Sequence, residues 1–179
     1  NKSVSSGNGS GNSWANAIPE LADALVWADN NKANFTTTPL QIWVAGGNYK
    51  PMYSPEDGAN FGTSQNRDNA FLLINNVQLY GGFAGTETAL TDRDLNLTAN
   101  TTTLSGDFNG DDVVAGSGST LSITNNTENA HHVVISAGDV GAARLDGFTI
   151  TGGNADGTTP ITVNSNNLYK NIGVGSSSF

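Results

Sequence analysis

Two stretches of the chain alternate apolar and polar residues and then end in paired glycines. The first is residues 77–85, VQLYGGFAG, and the second is residues 145–154, LDGFTITGGN. Alternation of this kind predicts β-strands with one buried face. The glycines predict a tight turn or a close approach to another backbone. Because a short strand and its corner occur twice, the pattern predicts stacked repeats of strand.

A different period occurs near the start of the chain. Ile18, Leu21, Leu25 and Ala28 recur at intervals of three and four and form one apolar stripe on a helix. Proline and glutamate directly after Ile18 suit a first helical turn. The spacing therefore predicts a helix over residues 18–30, which we expect to cover the open end of a sheet.

The other apolar runs predict short strands, separated by two long polar excursions at residues 50–67 and 86–100. The strands are predicted at residues 40–45, 70–74, 101–105, 121–124, 131–135, 161–163 and 168–174. Excursions of this length inside a compact domain are usually functional or mobile.

The spacing of matching residues favours parallel stacking. Leu145 and Leu168 are 23 positions apart, and so are Gly152 and Gly175 (168 − 145 and 175 − 152). This spacing lies in the window of about 20–50 residues that is typical of stacked repeats. Antiparallel hairpins would instead give turn signals about every 8–12 residues. We therefore predict an all-β chain of parallel coils, closed at its start by the helix.

This interpretation divides the chain into three parts. Residues 1–12 are a flexible N-terminus, residues 13–39 are the cap helix and its loop, and residues 40–179 are coils. Terminal repeats normally change character to protect the end of a stack. The last residues do not, so we expect the coils to be truncated and to continue in a longer polypeptide.

Composition limits the partners of the chain. Sixteen acidic residues against seven basic ones give a net charge of −9, so we expect binding neither to nucleic acid nor to anionic lipid. The chain has no cysteine, which excludes disulfides and thiolate chemistry. No apolar run approaches the roughly 20 residues of a membrane-spanning helix.

Four motifs, taken in order, resemble a known family. They are residues 9–17 (GSGNSWANA), 42–49 (IWVAGGNY), 79–87 (LYGGFAGTE) and 145–155 (LDGFTITGGNA). The chain resembles the N-terminal region of bacterial right-handed parallel β-helix repeat proteins, related in fold to pectin lyases and to polymorphic outer-membrane proteins. Many of these proteins leave the cell by the type IX secretion route. The resemblance implies a right-handed parallel β-helix (solenoid) in a secreted or cell-surface protein of a Gram-negative bacterium, and it implies no activity.

An acidic turn follows the predicted strand at 101–105. Asp107, Asn109 and Asp111 occupy alternate positions, with a glycine before Asp111. A tight loop uses this arrangement to point several oxygens at one calcium ion. The twelfth position of a complete calcium loop holds a bidentate acid, but here it is Gly118. The alternative interpretation is an acidic turn that joins two coils.

Aromatic residues are the candidates for contact with a sugar. Tyr53 and Phe61 lie in the first excursion, where an exposed ring can stack on a ligand. Trp14, Trp27 and Trp43 can also stack on sugars, although Trp27 and Trp43 equally fit a contact between the helix and the first coil.

Charged residues at the ends of the excursions allow two interpretations. Arg67 and Arg93 can grip an acidic sugar, or they can tie each excursion back to the coils through carboxylates and carbonyls. His131 and His132 are adjacent, and on a strand they would point to opposite faces. We therefore do not expect the histidines to share a metal ion or an active site.

The leading functional hypothesis is a non-enzymatic secreted or surface protein that serves adhesion, glycan contact or a structural role. The alternative is a polysaccharide lyase or glycoside hydrolase of the pectin lyase-like fold, acting on an acidic polysaccharide. Such lyases need carboxylates that hold calcium and a basic residue that removes a proton, and the scattered Arg and Lys show no such group. Asp107 and Asp146 remain open as a hydrolytic pair. A third hypothesis is that secretion machinery or a surface protein holds this segment.

Overall fold

The structure is a computed structural model that describes residues 1–58, 61–64 and 66–172. These residues contain one α-helix, α1, Leu21–Asn30. Short 3₁₀ helices occur at Trp14–Asn16, Lys32–Phe35, Asn66–Asp68, Leu90–Asp92, Thr98–Asn100 and Gly118–Thr120. The strands are β1 Leu40–Ala45, β2 Gly47–Tyr49, β3 Phe71–Leu72, β4 Val77–Phe83, β5 Thr102–Ser105, β6 Val113–Ala115, β7 Ser122–Thr124, β8 Val134–Ile135, β9 Arg144–Asp146, β10 Phe148–Thr151, β11 Ile161–Val163 and β12 Asn166–Leu168.

The strands form five small sheets. In two of them three parallel strands pair, with β4 between β1 and β9 and with β5 between β10 and β2. A third parallel pair joins β3 and β8. The pairs β6–β7 and β11–β12 are antiparallel. Leu79 of β4 pairs with Ile42 on one side and with Leu145 on the other, so the two glycine-ended stretches lie side by side.

The helix is present at the predicted place but begins three residues later, at Leu21. Ile18 precedes a proline, which disfavours helical backbone at that position, and Glu20 is still extended at the N-cap. The buried face of α1 includes Leu21, Leu25 and Ala28 and joins the main core. Within the described residues, no helix combines the length and the apolar character that crossing a membrane requires.

The prediction of an all-β right-handed parallel β-helix is wrong. The described chain is a mixed structure, with one helix and many short strands in several small sheets, parallel and antiparallel, and these sheets do not form a solenoid. The separation of paired residues shows why. Leu40 and Val77 are 37 positions apart, whereas Gln78 and Arg144 are 66 apart (77 − 40 and 144 − 78). Stacked repeats of similar size would place paired residues at one nearly constant separation, and these pairs do not show it.

The 23-residue spacing also has a different origin. Leu145 pairs with Leu79 in a parallel sheet, whereas Leu168 pairs with Ile161 across an antiparallel hairpin. Leu145 and Leu168 are therefore not equivalent positions of successive coils. Gly175 and the end of the strand predicted at 168–174 lie outside the described residues.

Two glycines allow neighbouring backbones to approach closely. A Cβ at Gly81 of β4 would lie 2.5 Å from the carbonyl oxygen of Gly147, and a Cβ at Gly106 would lie 2.5 Å from the carbonyl oxygen of Gly152. Real Cβ atoms do not approach other atoms this closely. Glycine is therefore required at both positions for the strands to pack as they do.

Leu104 offers a test of the core. It is fully buried in β5, between Tyr49 of β2 and Ile150 of β10. Leu104→Ala should lower the free energy of unfolding by about 2–5 kcal/mol because it leaves a cavity. The control Leu121→Ala alters a side chain that is 55% exposed and should change that free energy by no more than about 0.5 kcal/mol. Urea unfolding followed by circular dichroism measures both, and equal losses would contradict this description of the core.

Candidate functional site

An open groove of about 830 Å³ lies between residues 9–14, α1, β1 and residues 86–88. Its surface is mainly apolar, and all three tryptophans of the chain line it: Trp14, Trp27 and Trp43. We call it the tryptophan groove. A largely apolar pocket of this size with a few polar groups is the usual form of a ligand site.

Aromatic packing fixes two of the tryptophans. Phe83, at the end of β4, is fully buried, and its ring stacks on Trp43 with centroids 4.9 Å apart and an interplanar angle of 11°. Trp14 is tilted against Phe83 at a centroid distance of 5.5 Å. Both indoles remain partly exposed. Their orientation is therefore set by the protein before any ligand arrives.

Hydrogen bonds hold the same two indoles from their polar edges. Trp14 Nε1 donates to the carbonyl oxygen of Glu87 at 2.9 Å, which joins the N-terminal segment to residues 86–88. Trp43 Nε1 donates to Oε1 of Gln41 at 3.2 Å. Because both ring N–H groups already have acceptors, these tryptophans offer a ligand their ring faces rather than a donor.

Local bonds shape the N-terminal wall of the groove. Ser13 caps the 3₁₀ helix Trp14–Asn16, because its side chain accepts from the N–H of Asn16. Gly11 N–H donates to the carbonyl oxygen of Asn16 at 2.8 Å. Lys2 forms an ion pair with Glu20 at 3.1 Å, next to the start of α1.

Glu87 brings a negative charge to the edge of the groove. Burial acts to raise the pKa of its carboxyl, but the backbone N–H groups of Ala84, Thr86 and Gly85 donate to the carboxylate, and the net effect is a lowered pKa. The group is therefore ionised at neutral pH. Its hydrogen bonds also close the turn that follows β4.

Trp27 is the most exposed of the three tryptophans. It lies on α1, its side chain is 51% exposed, and its ring contacts Phe35 with centroids 6.1 Å apart. Trp27 is therefore not enclosed between the helix and the sheet, as the sequence had suggested. Its ring is accessible to a ligand from solvent.

The predicted aromatic candidates Tyr53 and Phe61 lie elsewhere. Both are partly buried and pack against the main core, and neither lines the tryptophan groove. Tyr53 Oη donates to Oδ1 of Asp23 at 2.7 Å, and this hydrogen bond raises the pKa of Tyr53. Sequence reasoning chose these residues because they lie in a long excursion, but the described part of that excursion folds back against α1 and the core.

Arg67 and Arg93 both tie their excursions to other parts of the chain. Arg67 donates to the carbonyl oxygens of Asn129 and Asn154, at 2.6 and 3.1 Å, and pairs with the carboxylate of Asp156. Arg93 donates to the carbonyl oxygen of Gly81 at 3.0 Å and lies 2.9 Å from Asp146 Oδ1. Both arginines therefore make the contacts expected of residues that tie an excursion to the rest of the chain. Their predicted role in ligand binding stays a prediction.

His131 and His132 line the same small cavity, together with Arg67, Asp68 and Lys170. The argument from alternation fails because the strand begins at Val134, after both histidines. Lys170 Nζ lies 2.9 Å from Oδ1 of Asp68, so the charges in the cavity are paired. Burial lowers the pKa of His132. The cavity has no room for a water-sized group, which makes it a structural cluster.

The acidic turn is ordered by its own backbone. The carboxylate of Asp107 accepts from the N–H groups of Gly110, Asp111 and Asp112. Burial opposes ionisation of this carboxyl, but these bonds outweigh it and lower its pKa.

Of the predicted calcium ligands, Asp107 and Asp111 come together, and Glu128 joins them as a third acidic residue. Oxygens of these three carboxylates lie within 4.8 Å of one another. The predicted role of Asn109 stays a prediction. Sequence reasoning missed Glu128 because it lies 17 residues after Asp111 (128 − 111). The only signal that could have identified Glu128 is the β6–β7 hairpin, which brings the chain back to the acidic turn.

Asp107 and Asp146 are each engaged with other groups. Arg144 donates to Asp146 Oδ2 at 2.6 Å, and Arg93 pairs with Oδ1. The hydrogen bond from Arg144, followed by that from Arg93, lowers the pKa of Asp146. This carboxylate therefore acts as a bridge between two arginines rather than as a general acid.

No protein-family model, no curated protein and no solved structure matches this chain. The comparisons therefore do not identify it as a parallel β-helix repeat protein. The family, the export route and the surface location that the motifs imply stay predictions.

The ionic bridge from Asp146 to Arg93 and Arg144 can be tested through the pH dependence of stability. The pKa of Asp146 in the folded protein lies below its usual value of 3.8, so its contribution to stability is present above that value and is lost as the pH falls through the lowered pKa. Asp146→Asn should lower the free energy of unfolding by about 1–2 kcal/mol at pH 7. The difference in this free energy between the variant and the parent chain should shrink towards pH 2. Urea unfolding across pH measures this. A difference that is constant with pH would contradict the ionic bridge.

Proposed function

We propose that this chain is a carbohydrate-contact module that binds a neutral glycan in the tryptophan groove, as part of a secreted or cell-surface protein. The observation that carries the proposal is that all three tryptophans of the chain line one open, mainly apolar groove. Exposed apolar surface that is grouped in one groove commonly marks a binding site.

The chemistry of the groove suits a sugar ring. One face of a pyranose carries C–H groups, which pack against an indole, while its edge carries hydroxyls that need hydrogen-bond partners. Trp14 and Trp43 are held rigidly by Phe83 and by their own N–H bonds. Gln41 and Asn12 line the same space and supply amide groups. Rigid aromatic faces lower the entropic cost of binding.

Charge favours a neutral sugar over an acidic one. Glu20 and Glu87 line the groove, and the whole chain carries a net charge of −9. An acidic polysaccharide would be repelled by both the local and the overall field. The ion pair between Lys2 and Glu20 offsets only part of this charge.

The enzymatic alternative, a lyase or hydrolase acting on acidic polysaccharide, has less support. A lyase needs a basic side chain that is free to take a proton. Arg67, Arg93 and Arg144 are each engaged with a carboxylate, and Lys170 is paired with Asp68. Release of unsaturated uronates or reducing ends from an acidic polymer would favour this alternative and count against a purely binding role.

Trp27→Ala provides the test of the proposal. Because every tryptophan lines the groove, intrinsic fluorescence reports on it, and neutral oligosaccharides of glucose, xylose and mannose can be titrated against an acidic oligogalacturonate. We expect a saturable change in fluorescence with a neutral sugar, and at least a tenfold weaker affinity, by about 1.4 kcal/mol, for Trp27→Ala.

Tyr169→Ala is the matched control, since Tyr169 is 55% exposed and lies outside the groove. It should bind as the parent chain does. The proposal fails if no neutral oligosaccharide changes the fluorescence, or if Trp27→Ala binds with unchanged affinity.

A further inference from the structure

A group of acidic side chains closes the base of the β6–β7 hairpin. Asp107 and Asp111 precede the hairpin and Glu128 follows it, and their carboxylate oxygens lie within 4.8 Å of one another. Asp107 is buried and Glu128 is partly buried. Like charges held this close repel one another unless something neutralises them.

Unpartnered oxygens on Glu128 and on the residues next to Asp111 and Glu128 give an independent observation. Asn129 is only 1% exposed, its Nδ2 donates to Asp112 Oδ2 at 2.8 Å, and its Oδ1 has no hydrogen-bond donor among the described residues. Asp112 Oδ1 and Glu128 Oε1 are also buried and without a donor in that part of the chain. A buried oxygen without a partner is costly.

Among the described residues, no cationic side chain forms an ion pair with these three carboxylates. Lys50 Nζ donates to the carbonyl oxygen of Phe108 at 2.8 Å, and from there its charge helps to lower the pKa of Asp107. Arg67 donates to the backbone carbonyl of Asn129 and to Asn154 and Asp156. The three unpartnered oxygens are acceptors only, so a cation satisfies all of them where one protein donor cannot.

We propose that Asp107, Asp111 and Glu128, supported by the unpartnered oxygens of Asp112 and Asn129, form a binding site for Ca²⁺. All the candidate ligands are oxygens, which hard cations prefer, and none is a sulfur or an imidazole. Two oxygens bound to one Ca²⁺ lie at most about 5 Å apart, since each is about 2.3–2.6 Å from the ion. The carboxylate spacing fits that limit.

This site goes beyond glycan binding, because none of its residues lines the tryptophan groove. Its ligands come from both ends of the hairpin, so the ion holds these two ends together. Binding should therefore stabilise the folded state.

Calorimetric titration of the chelator-treated protein with CaCl₂, with MgCl₂ in a second arm, tests the proposal. We expect one Ca²⁺ per chain. At a calcium concentration a hundredfold above Kd, we expect Tm to rise by about 5–10 °C. We expect a weaker response to Mg²⁺, which demands a smaller and more regular octahedral site.

Two substitutions separate a metal site from a merely acidic turn. Asp111→Asn and Glu128→Gln keep the shape of each side chain and remove one charge. Each should weaken Ca²⁺ binding at least tenfold and, in chelator, should leave Tm unchanged or raise it because repulsion is relieved. Asp29→Asn is the control, since Asp29 lies on α1, outside the acidic group, and pairs with Lys32. It should bind Ca²⁺ as the parent chain does.

Several outcomes would overturn the proposal. These are the absence of both heat and a Tm shift with Ca²⁺, an equal response to Mg²⁺, and a response to Ca²⁺ that Asp111→Asn retains in full. The glycan titration is read by tryptophan fluorescence, so failure at one site is distinguishable from failure at the other.

Discussion

The close approach of neighbouring backbones at glycines is the constraint on which the rest of the structure depends. At Gly81 and Gly106 the carbonyl oxygen of an adjacent segment occupies the place of a side chain. Contact at this distance fixes β4 against β9, and it lets Leu79 meet Leu145 in the buried sheet. Phe83 lies two residues beyond Gly81, and its ring stacks on the ring of Trp43. The wall of the tryptophan groove therefore depends on a backbone contact outside the groove.

Both candidate sites lie where irregular segments meet the sheets. The N-terminal segment and residues 86–88 complete the tryptophan groove, and the segments flanking the β6–β7 hairpin bring together the acidic side chains of Asp107, Asp111 and Glu128. Loops held on a rigid scaffold commonly carry function because they can vary without disturbing the core. The arginine ties show how the scaffold holds such segments, since Arg67 and Arg93 anchor the two excursions through carbonyls and carboxylates.

Sequence patterns within a few residues predicted helices and strands. They did not predict which distant segments pair with one another. The helix and the strands at β1 and β4 follow from periodicity within a few residues. The error at Leu168 came from a hairpin whose turn residues, Asn164 and Ser165, both have positive φ. The usual sequence signal for such a turn is Asn-Gly. The Asn-Ser pair at this position did not indicate a hairpin. Glu128 and the grouping of the tryptophans were missed for a related reason, because only tertiary structure brings distant segments together.

The most direct test of the central constraint is the free energy of unfolding of Gly81→Ala, with Gly118→Ala as the control. Gly118 has φ +54°, and a Cβ there would meet nothing within 4 Å, so its substitution should cost only the left-handed backbone penalty of about 1 kcal/mol. Gly81→Ala forces a backbone carbonyl to move and should cost about 3 kcal/mol, with a change in tryptophan fluorescence as Phe83 shifts. A cost for Gly81→Ala no larger than that of the control would contradict the account.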